Sequence, residues 1–112
     1  MATLLKDYIY KAPIIIIIMA KAVWKGKTIA ESEKYEIVES NIYFPPDSVK
    51  KEYLVKSGNT YKCSWKGLAD YYNIKINGDV NEDAAWIYPN PEEKAKNIKG
   101  YFAFWKGVEV TK

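Results

Sequence analysis

The sequence predicts a mainly β, single-domain protein whose antiparallel strands form one strongly bent sheet or a sandwich of two sheets, with one or two short helical turns. Three observations support this class. Short aromatic and apolar runs alternate with turns that contain glycine or proline. No segment has a long helical period. Strand follows strand with no crossover helix between them, and 112 residues suffice for one domain.

The predicted strands follow one another from a first hairpin at Lys25-Gly26 to the C-terminus. Pro45-Pro46 ends the first group of strands, because proline has no N–H to donate to a neighbouring strand. Asp47 is expected to cap a short helical turn that reaches Tyr53. In chain order the predicted strands are AVW, TIAES, YEIVES, NIYF, TYKCSW, ADYYNIKI, AAWIY, YFAFW and VEV.

Residues 1–18 are predicted to be an extension ahead of a single β domain that spans 19–112. The five consecutive isoleucines at 14–18 favour a strand, and such a strand would aggregate if it were unpaired. We therefore expect it to pair with a sheet edge or with a second copy of the chain, which would give a homo-oligomer. The apolar run is too short to cross a membrane. The expected compartment is the cytoplasm, with a cleavable secretion signal as the alternative.

The charged residues restrict the chemistry of the protein. All 17 basic residues are lysine, arginine and histidine are absent, and the formal net charge is +3. The lack of arginine argues against sequence-specific DNA recognition, which relies on bidentate contacts to guanine. The lack of histidine excludes Ser-His-Asp and Cys-His catalysis and histidine-containing metal sites. A single cysteine excludes intramolecular disulfides and cysteine-rich zinc sites, so no metal or cofactor is predicted.

The tripeptide WKG occurs three times, at 24–26, 65–67 and 105–107. The first copy is followed at 42–53, and the second at 86–97, by an aromatic run, two prolines and a charged segment. This similarity indicates two related halves, with the third copy closing the sheet. The alternative is chance, because glycine-containing turns are common in hairpins.

Cys63 lies in the strand TYKCSW, where side chains alternate between two faces. Alternation places Tyr61, Cys63 and Trp65 on one face. Lys66 starts on the opposite face unless the turn at Gly67 redirects it. A thiol buried among aromatic rings is unreactive, so we interpret Cys63 as a packing residue. Cys63 and Lys66 nevertheless remain the candidates if the protein is an enzyme.

Aromatic side chains that share a face are the candidate ligand site. On the next strand, alternation separates Tyr71 from the core-facing Ile74 and Ile76, and Trp86 shares a face with Tyr88. If the rings converge, they would form a cleft that stacks a planar ligand, with a lysine for a phosphate or carboxylate. The alternative is that the rings fill the core. The predicted ligand-binding residues are Tyr43, Trp65, Lys66, Tyr71, Trp86 and Tyr88.

The carboxylates indicate no catalytic group. Asp79, Glu82 and Asp83 follow an Asn-Gly turn, and we interpret them as a solvated polar loop. A nucleotidyltransferase would need paired acids alternating on a strand to hold magnesium, and this pattern is absent. Glu39, just ahead of the strand NIYF, is the one acid that we single out.

Five separated motifs between Lys21 and Val110 resemble the domain of unknown function 427 family: KAVWKGKTIAES, NIYFPPDSVKKEYL, CSWKGLADYYNI, AAWIYPNP and IKGYFAFWKGVEV. The resemblance implies a compact β architecture similar to the tent-like sheets of the Mss4 and methionine sulfoxide reductase group. Relatives of that shape often hold zinc on paired CxxC motifs, which this chain lacks. Some sources label the family a nucleotidyltransferase, and nucleic-acid binding has been suggested for it. Its characteristic positions match Trp24, Tyr43, Phe44, Pro45, Cys63, Trp65, Lys66, Gly67, Tyr71, Trp86 and Tyr88.

Three functions therefore stand as hypotheses. The first is a binding module whose aromatic cleft accepts a planar, nucleotide-like or single-stranded nucleic-acid ligand. The second is a small enzyme that uses Cys63 or Lys66. The third is a structural module that oligomerises through the isoleucine strand.

Overall fold

The computed structural model describes residues 18–112, and this part of the chain is mainly β, as predicted. The predicted isoleucine strand and its role in oligomerisation concern residues that lie, apart from Ile18, outside the described range. The nine strands are β1 Ala20–Trp24, β2 Lys27–Ser32, β3 Glu36–Val38, β4 Asn41–Tyr43, β5 Leu54–Cys63, β6 Gly67–Ile76, β7 Asp79–Ile87, β8 Phe102–Phe104 and β9 Glu109–Thr111.

The strands form three antiparallel sheets. One has the order β2-β1-β9, one is the β3-β4 hairpin, and the largest has the order β5-β6-β7-β8. The hairpin is joined to the largest sheet by a backbone pair, in which the Phe44 N–H donates to Phe102 O at 2.8 Å and the Phe102 N–H donates to Phe44 O at 2.9 Å. The antiparallel β architecture is as predicted, but it comprises three sheets where one bent sheet or two were expected, and the β2-β1-β9 sheet packs on the largest sheet through buried side chains.

Short 3₁₀ turns fill the connections after β4 and β7. The segment predicted as one helical turn from Asp47 to Tyr53 is two separate turns, Pro46–Ser48 and Lys51–Tyr53, and neither has a side-chain cap. A third turn spans Glu93–Ile98. Within residues 18–112, no helix is long and apolar enough to cross a membrane.

Each WKG tripeptide lies at a turn: the first two copies are in the β1–β2 and β5–β6 hairpins, and the third connects β8 to β9, which belong to different sheets. Lys25 and Lys106 have φ values of +53° and +52°, and their ammonium groups lie 5.6 and 5.2 Å from the ring centroids of their own tryptophans. The second copy differs, because β5 ends at Cys63 and three residues, 64–66, form the turn before Gly67. The prediction that this strand extends to Trp65 is wrong, and alternation does not apply to Trp65 or Lys66.

The four-stranded sheet is covered on both faces, and its strands alternate between two buried clusters. In β8, Phe102 and Phe104 pack in the larger cluster, whereas Ala103 between them packs in the smaller one. The larger cluster joins this sheet to β1 and β2 through Ile29, Ile74 and small alanines. The smaller cluster comprises Tyr43, Ala69, Tyr88, Ala95, Ile98 and Ala103.

Phe44 is fully buried in the larger cluster, with its ring centroid 5.7 Å from that of Phe104. We expect Phe44→Ala to lower the free energy of unfolding by about 3–5 kcal/mol, because it leaves a cavity where the two sheets meet. Urea denaturation followed by circular dichroism measures this loss. Ile37→Ala removes a side chain that is 48% exposed and is expected to cost less than about 1 kcal/mol. Equal losses for the two variants would contradict this description of the core.

Candidate aromatic ligand pocket

An aromatic pocket lies on the face of the four-stranded sheet that carries the smaller cluster. Its volume is about 390 Å³, which is within the range of small-molecule sites. The lining alternates along the strands as the pleat requires, since Ala69 and Tyr71 of β6 are two residues apart, as are Trp86 and Tyr88. The lining residues are Asn41, Tyr61, Lys66, Ala69, Tyr71, Trp86, Tyr88 and Trp105.

Register between the strands sets the depth of the pocket. Tyr61 of β5 pairs with Ala69 of β6, and Tyr71 of β6 pairs with Trp86 of β7. Because Ala69 is small and buried, it leaves open space between the larger rings on either side. The pocket is therefore a row of aromatic walls over an alanine floor.

The aromatic walls contact one another edge to face or nearly parallel. Trp86 and Trp105 have centroids 5.8 Å apart with planes at 79°. Tyr71 and Trp105 are nearly parallel, with centroids 6.3 Å apart. Edge-to-face and offset geometries are the favoured ones for aromatic pairs. The walls thus stabilise one another, which preorganises the pocket for a ligand.

Trp105 is held in place by the backbone of β7. Its indole N–H donates to the carbonyl oxygen of Asp83 at 2.5 Å. Asp83 has a φ of +54° at an irregularity where β7 carries extra residues opposite β6. Its N–H donates to the side chain of Asn73 at 2.9 Å. The segment predicted as a solvated acidic loop is thus the first part of β7, and its bulge fixes one wall of the pocket.

Tyr43 supports the pocket from behind. It is fully buried, and its hydroxyl accepts a hydrogen bond from the Trp86 indole at 3.2 Å. The two rings meet edge to face, with centroids 6.2 Å apart. Burial raises the pKa of Tyr43, and the same effect raises the pKa of Tyr88 to about 12. Both phenols are therefore neutral at physiological pH and act as hydrogen-bonding, not titrating, groups.

Lys66 is the charged side chain in the pocket wall, and it is only 7% exposed. Its backbone is fixed against residues 90–92, since the Glu92 N–H donates to Lys66 O at 2.9 Å. Its ammonium lies 5.4 Å from the centroid of Tyr88 and 5.6 Å from that of Trp65. Cation–π contacts of this kind compensate part of the cost of desolvating the charge.

The Lys66 ammonium donates a hydrogen bond to Glu39 Oε1 and forms an ion pair with it. Burial lowers the pKa of Lys66, but the bond to Glu39 and the Tyr43 and Tyr88 phenols together outweigh burial and raise it. The bond from Lys66 is the main reason that the pKa of Glu39 is lowered, and Trp65 acts in the same direction. At neutral pH both partners are therefore charged, and the Lys66 ammonium is engaged by the Glu39 carboxylate.

Glu39 reaches Lys66 from a strained turn. Glu39 and Ser40 connect β3 to β4 as a two-residue turn, with φ values of +51° and +66°. Asparagine and glycine are the usual residues at such positions, because a Cβ disfavours the left-handed conformation. In the β1–β2 hairpin, Lys25-Gly26 adopts nearly the same angles, +53° and +73°. The hairpin thus keeps two unfavourable residues where it presents Glu39 to the pocket.

The structure brings together most of the residues that the sequence singled out. The pocket is lined by four of them, Lys66, Tyr71, Trp86 and Tyr88. Three others, Tyr43, Trp65 and Cys63, do not line it. Tyr43 lies behind Trp86. Trp65, 38% exposed, stands beside Lys66. Cys63 packs at the edge of the smaller cluster.

Four lining residues were missed from the sequence: Asn41, Tyr61, Ala69 and Trp105. Alternation had placed Tyr61 on the same face as Cys63 and Trp65. That this face is open at Tyr61 depends on the neighbouring strand β6, where the small Ala69 lies opposite. Trp105 was placed at the end of the predicted strand YFAFW, in the third WKG copy, and was not assigned to the ligand site. Within residues 18–112, no cluster of three or more cysteine or acidic side chains is arranged to hold a metal ion.

The strain at Ser40 has a measurable effect. We expect Ser40→Gly to raise the free energy of unfolding by about 0.5–1 kcal/mol, because glycine adopts positive φ without a steric penalty but loses more entropy on folding. Gly26→Ser makes the reverse change at the matching turn, where a new Cβ meets nothing within 4 Å, and should lower stability by a similar amount. Urea titrations measure both. A destabilising Ser40→Gly would refute the assignment of strain to this turn.

The ion pair predicts a pH-dependent contribution to stability. The folded-state pKa of Glu39 lies below its ordinary value of 4.5, so the stabilisation by its charge is present above pH 4.5 and is lost as the pH falls through the folded value. The stability difference between wild type and Glu39→Gln should therefore shrink below pH 4.5, as measured by urea denaturation at several pH values. In a Lys66→Met background, the stability difference caused by Glu39→Gln should depend much less on pH. A difference that is constant with pH in the wild-type background would show that the pair contributes nothing.

The comparisons with known proteins give a family and no characterised relative. A search of curated proteins gave no match to this chain. The model of a family described as a domain of unknown function, DUF427, matches residues 19–112, and the chain therefore belongs to this family.

Proposed function

We propose that this protein is a binding module whose aromatic pocket takes a planar ring of nucleobase size. The observation that carries the proposal is the pocket itself, in which Tyr61, Tyr71, Trp86 and Trp105 surround a cavity of about 390 Å³. Aromatic walls bind planar rings by stacking, at about 1–3 kcal/mol for a stacked base. Polar groups at the edge, Asn41 and Lys66, supply hydrogen bonds that orient the ring.

The exposure of the rings favours a site over a core. Trp105 is 45% exposed and Tyr61 is 55% exposed, so both rings expose hydrophobic surface to solvent in the free protein. Exposed aromatic surface that surrounds a concavity is typical of binding sites. Covering these rings with a ligand supplies a hydrophobic driving force in addition to stacking.

Binding is a better interpretation of the pocket than catalysis. The family's short name, NTP_transf_9, refers to nucleotidyl transfer, and that reaction depends on acids that hold magnesium. Two acids beside the pocket already have hydrogen-bond partners, Glu39 with Lys66 and Asp83 with Asn59. Lys66 stays protonated, and Cys63 does not line the pocket. The groups that remain are aromatic and amide side chains, which recognise a ligand without transforming it.

Intrinsic fluorescence tests the proposal, because two of the four tryptophans line the pocket. We expect adenosine, AMP or a short single-stranded oligothymidine to change the emission in a saturable way. Tyr71→Ala and Trp105→Ala should each weaken that binding about 5- to 100-fold, which corresponds to the loss of one stacking surface.

The control for these variants is Val80→Ala, a truncation of an exposed side chain near the far end of β7. It should leave the affinity unchanged. Circular dichroism of each variant verifies that the fold is retained. The proposal fails if none of the three probes binds, or if Tyr71→Ala and Trp105→Ala bind as tightly as Val80→Ala.

A further inference from the structure

The charges around the pocket point to the ionic class of its ligand. We infer that the pocket selects an uncharged ring, such as a nucleoside or a free base, over the corresponding phosphate or a nucleic-acid strand. This inference rests on the proposed function and adds a prediction about charge that the aromatic walls alone do not make.

The first observation is that Lys66 is already neutralised. A buried ammonium in a pocket wall would attract a phosphate if it were free, but Lys66 is paired with Glu39. The Glu39 side chain is 51% exposed, so its carboxylate faces solvent next to the pocket. A phosphate that reaches Lys66 must either displace Glu39 or approach its negative charge, and both are unfavourable.

The second observation concerns Lys106, whose ammonium lies 5.2 Å from the ring centroid of Trp105. It also donates to the carbonyl oxygen of Glu82 at 3.2 Å. The Ser57 hydroxyl and the Asn59 amide lower the pKa of Asp83, and the Lys106 ammonium adds to their effect. Asp83 in turn acts together with burial to raise the pKa of Tyr71. Asp83 also accepts the Trp105 indole N–H at its carbonyl oxygen, so the Lys106 ammonium and the Asp83 carboxyl group both belong to residues in contact with the same wall of the pocket.

Two positive and two negative charges thus surround the aromatic walls, and they cancel locally. The strain in the Glu39-Ser40 turn indicates that the acid is held in place at a cost in stability. The polar groups that remain suit a neutral ligand, since the Asn41 amide both donates and accepts and Lys66 has further N–H groups. A nucleobase carries donors and acceptors along its edge, whereas a phosphate carries only acceptors.

The test compares adenosine with AMP at pH 7 by tryptophan fluorescence, in wild type and in Glu39→Gln. We expect wild type to bind adenosine more tightly than AMP, with an affinity for adenosine that changes less than about twofold from low to high salt, since no counterions are released. Glu39→Gln should improve the affinity for AMP relative to adenosine by about two- to fivefold, because it frees the Lys66 charge. Glu109→Gln, which removes an exposed carboxylate from β9, should leave that ratio unchanged.

The outcomes separate this inference from the proposed function. If AMP binds to wild type as tightly as adenosine or more tightly, the inference is overturned while the aromatic pocket stands as a site. An unchanged AMP-to-adenosine ratio in Glu39→Gln overturns it as well, because Glu39 is then not what selects against the phosphate. If neither compound binds, the proposed function fails together with the inference.

Discussion

The backbone pair between Phe44 and Phe102 is the constraint on which the pocket depends, because it attaches the β3–β4 hairpin to the four-stranded sheet. Phe44 enters the larger cluster, and its neighbour Tyr43 turns the other way to support Trp86. The same hairpin carries Asn41 into the pocket wall and Glu39 to Lys66. One pair of residues thus couples the core to the aromatic walls and to the charges beside them.

The sequence predicts the strands and the faces of residues within a regular strand, but not the contacts between distant segments. Alternation grouped Tyr71 and Trp86 with the face that carries the pocket, because β6 and β7 run through those positions, and Tyr88 directly follows the end of β7 on the same face. Alternation misplaced Lys66, since β5 ends at Cys63 and a turn redirects the side chain. Glu39 was singled out from the sequence, but its partner Lys66 lies 27 residues away. No local sequence pattern links two segments so far apart.

Composition was also a poor guide to the electrostatics of the site. A net charge of +3, with lysine as the only basic residue type, suggests mild attraction to polyanions. Around the pocket, however, each lysine in contact with a wall residue has a carboxylate nearby. Net charge describes the whole surface, whereas recognition depends on the few charges within a Debye length of the ligand. The local balance requires knowledge of which strands are neighbours.

The alanine floor has a consequence for how such a pocket diversifies. Ala69 lies between Tyr61 and Tyr71 and makes no polar contact that a larger aliphatic residue would break. A valine there would reduce the depth of the cavity while leaving the rings, Lys66 and Glu39 in place. Under the proposed function, ligand size is governed at the floor and ligand charge at the β3–β4 turn, so the two properties can evolve independently on the same scaffold.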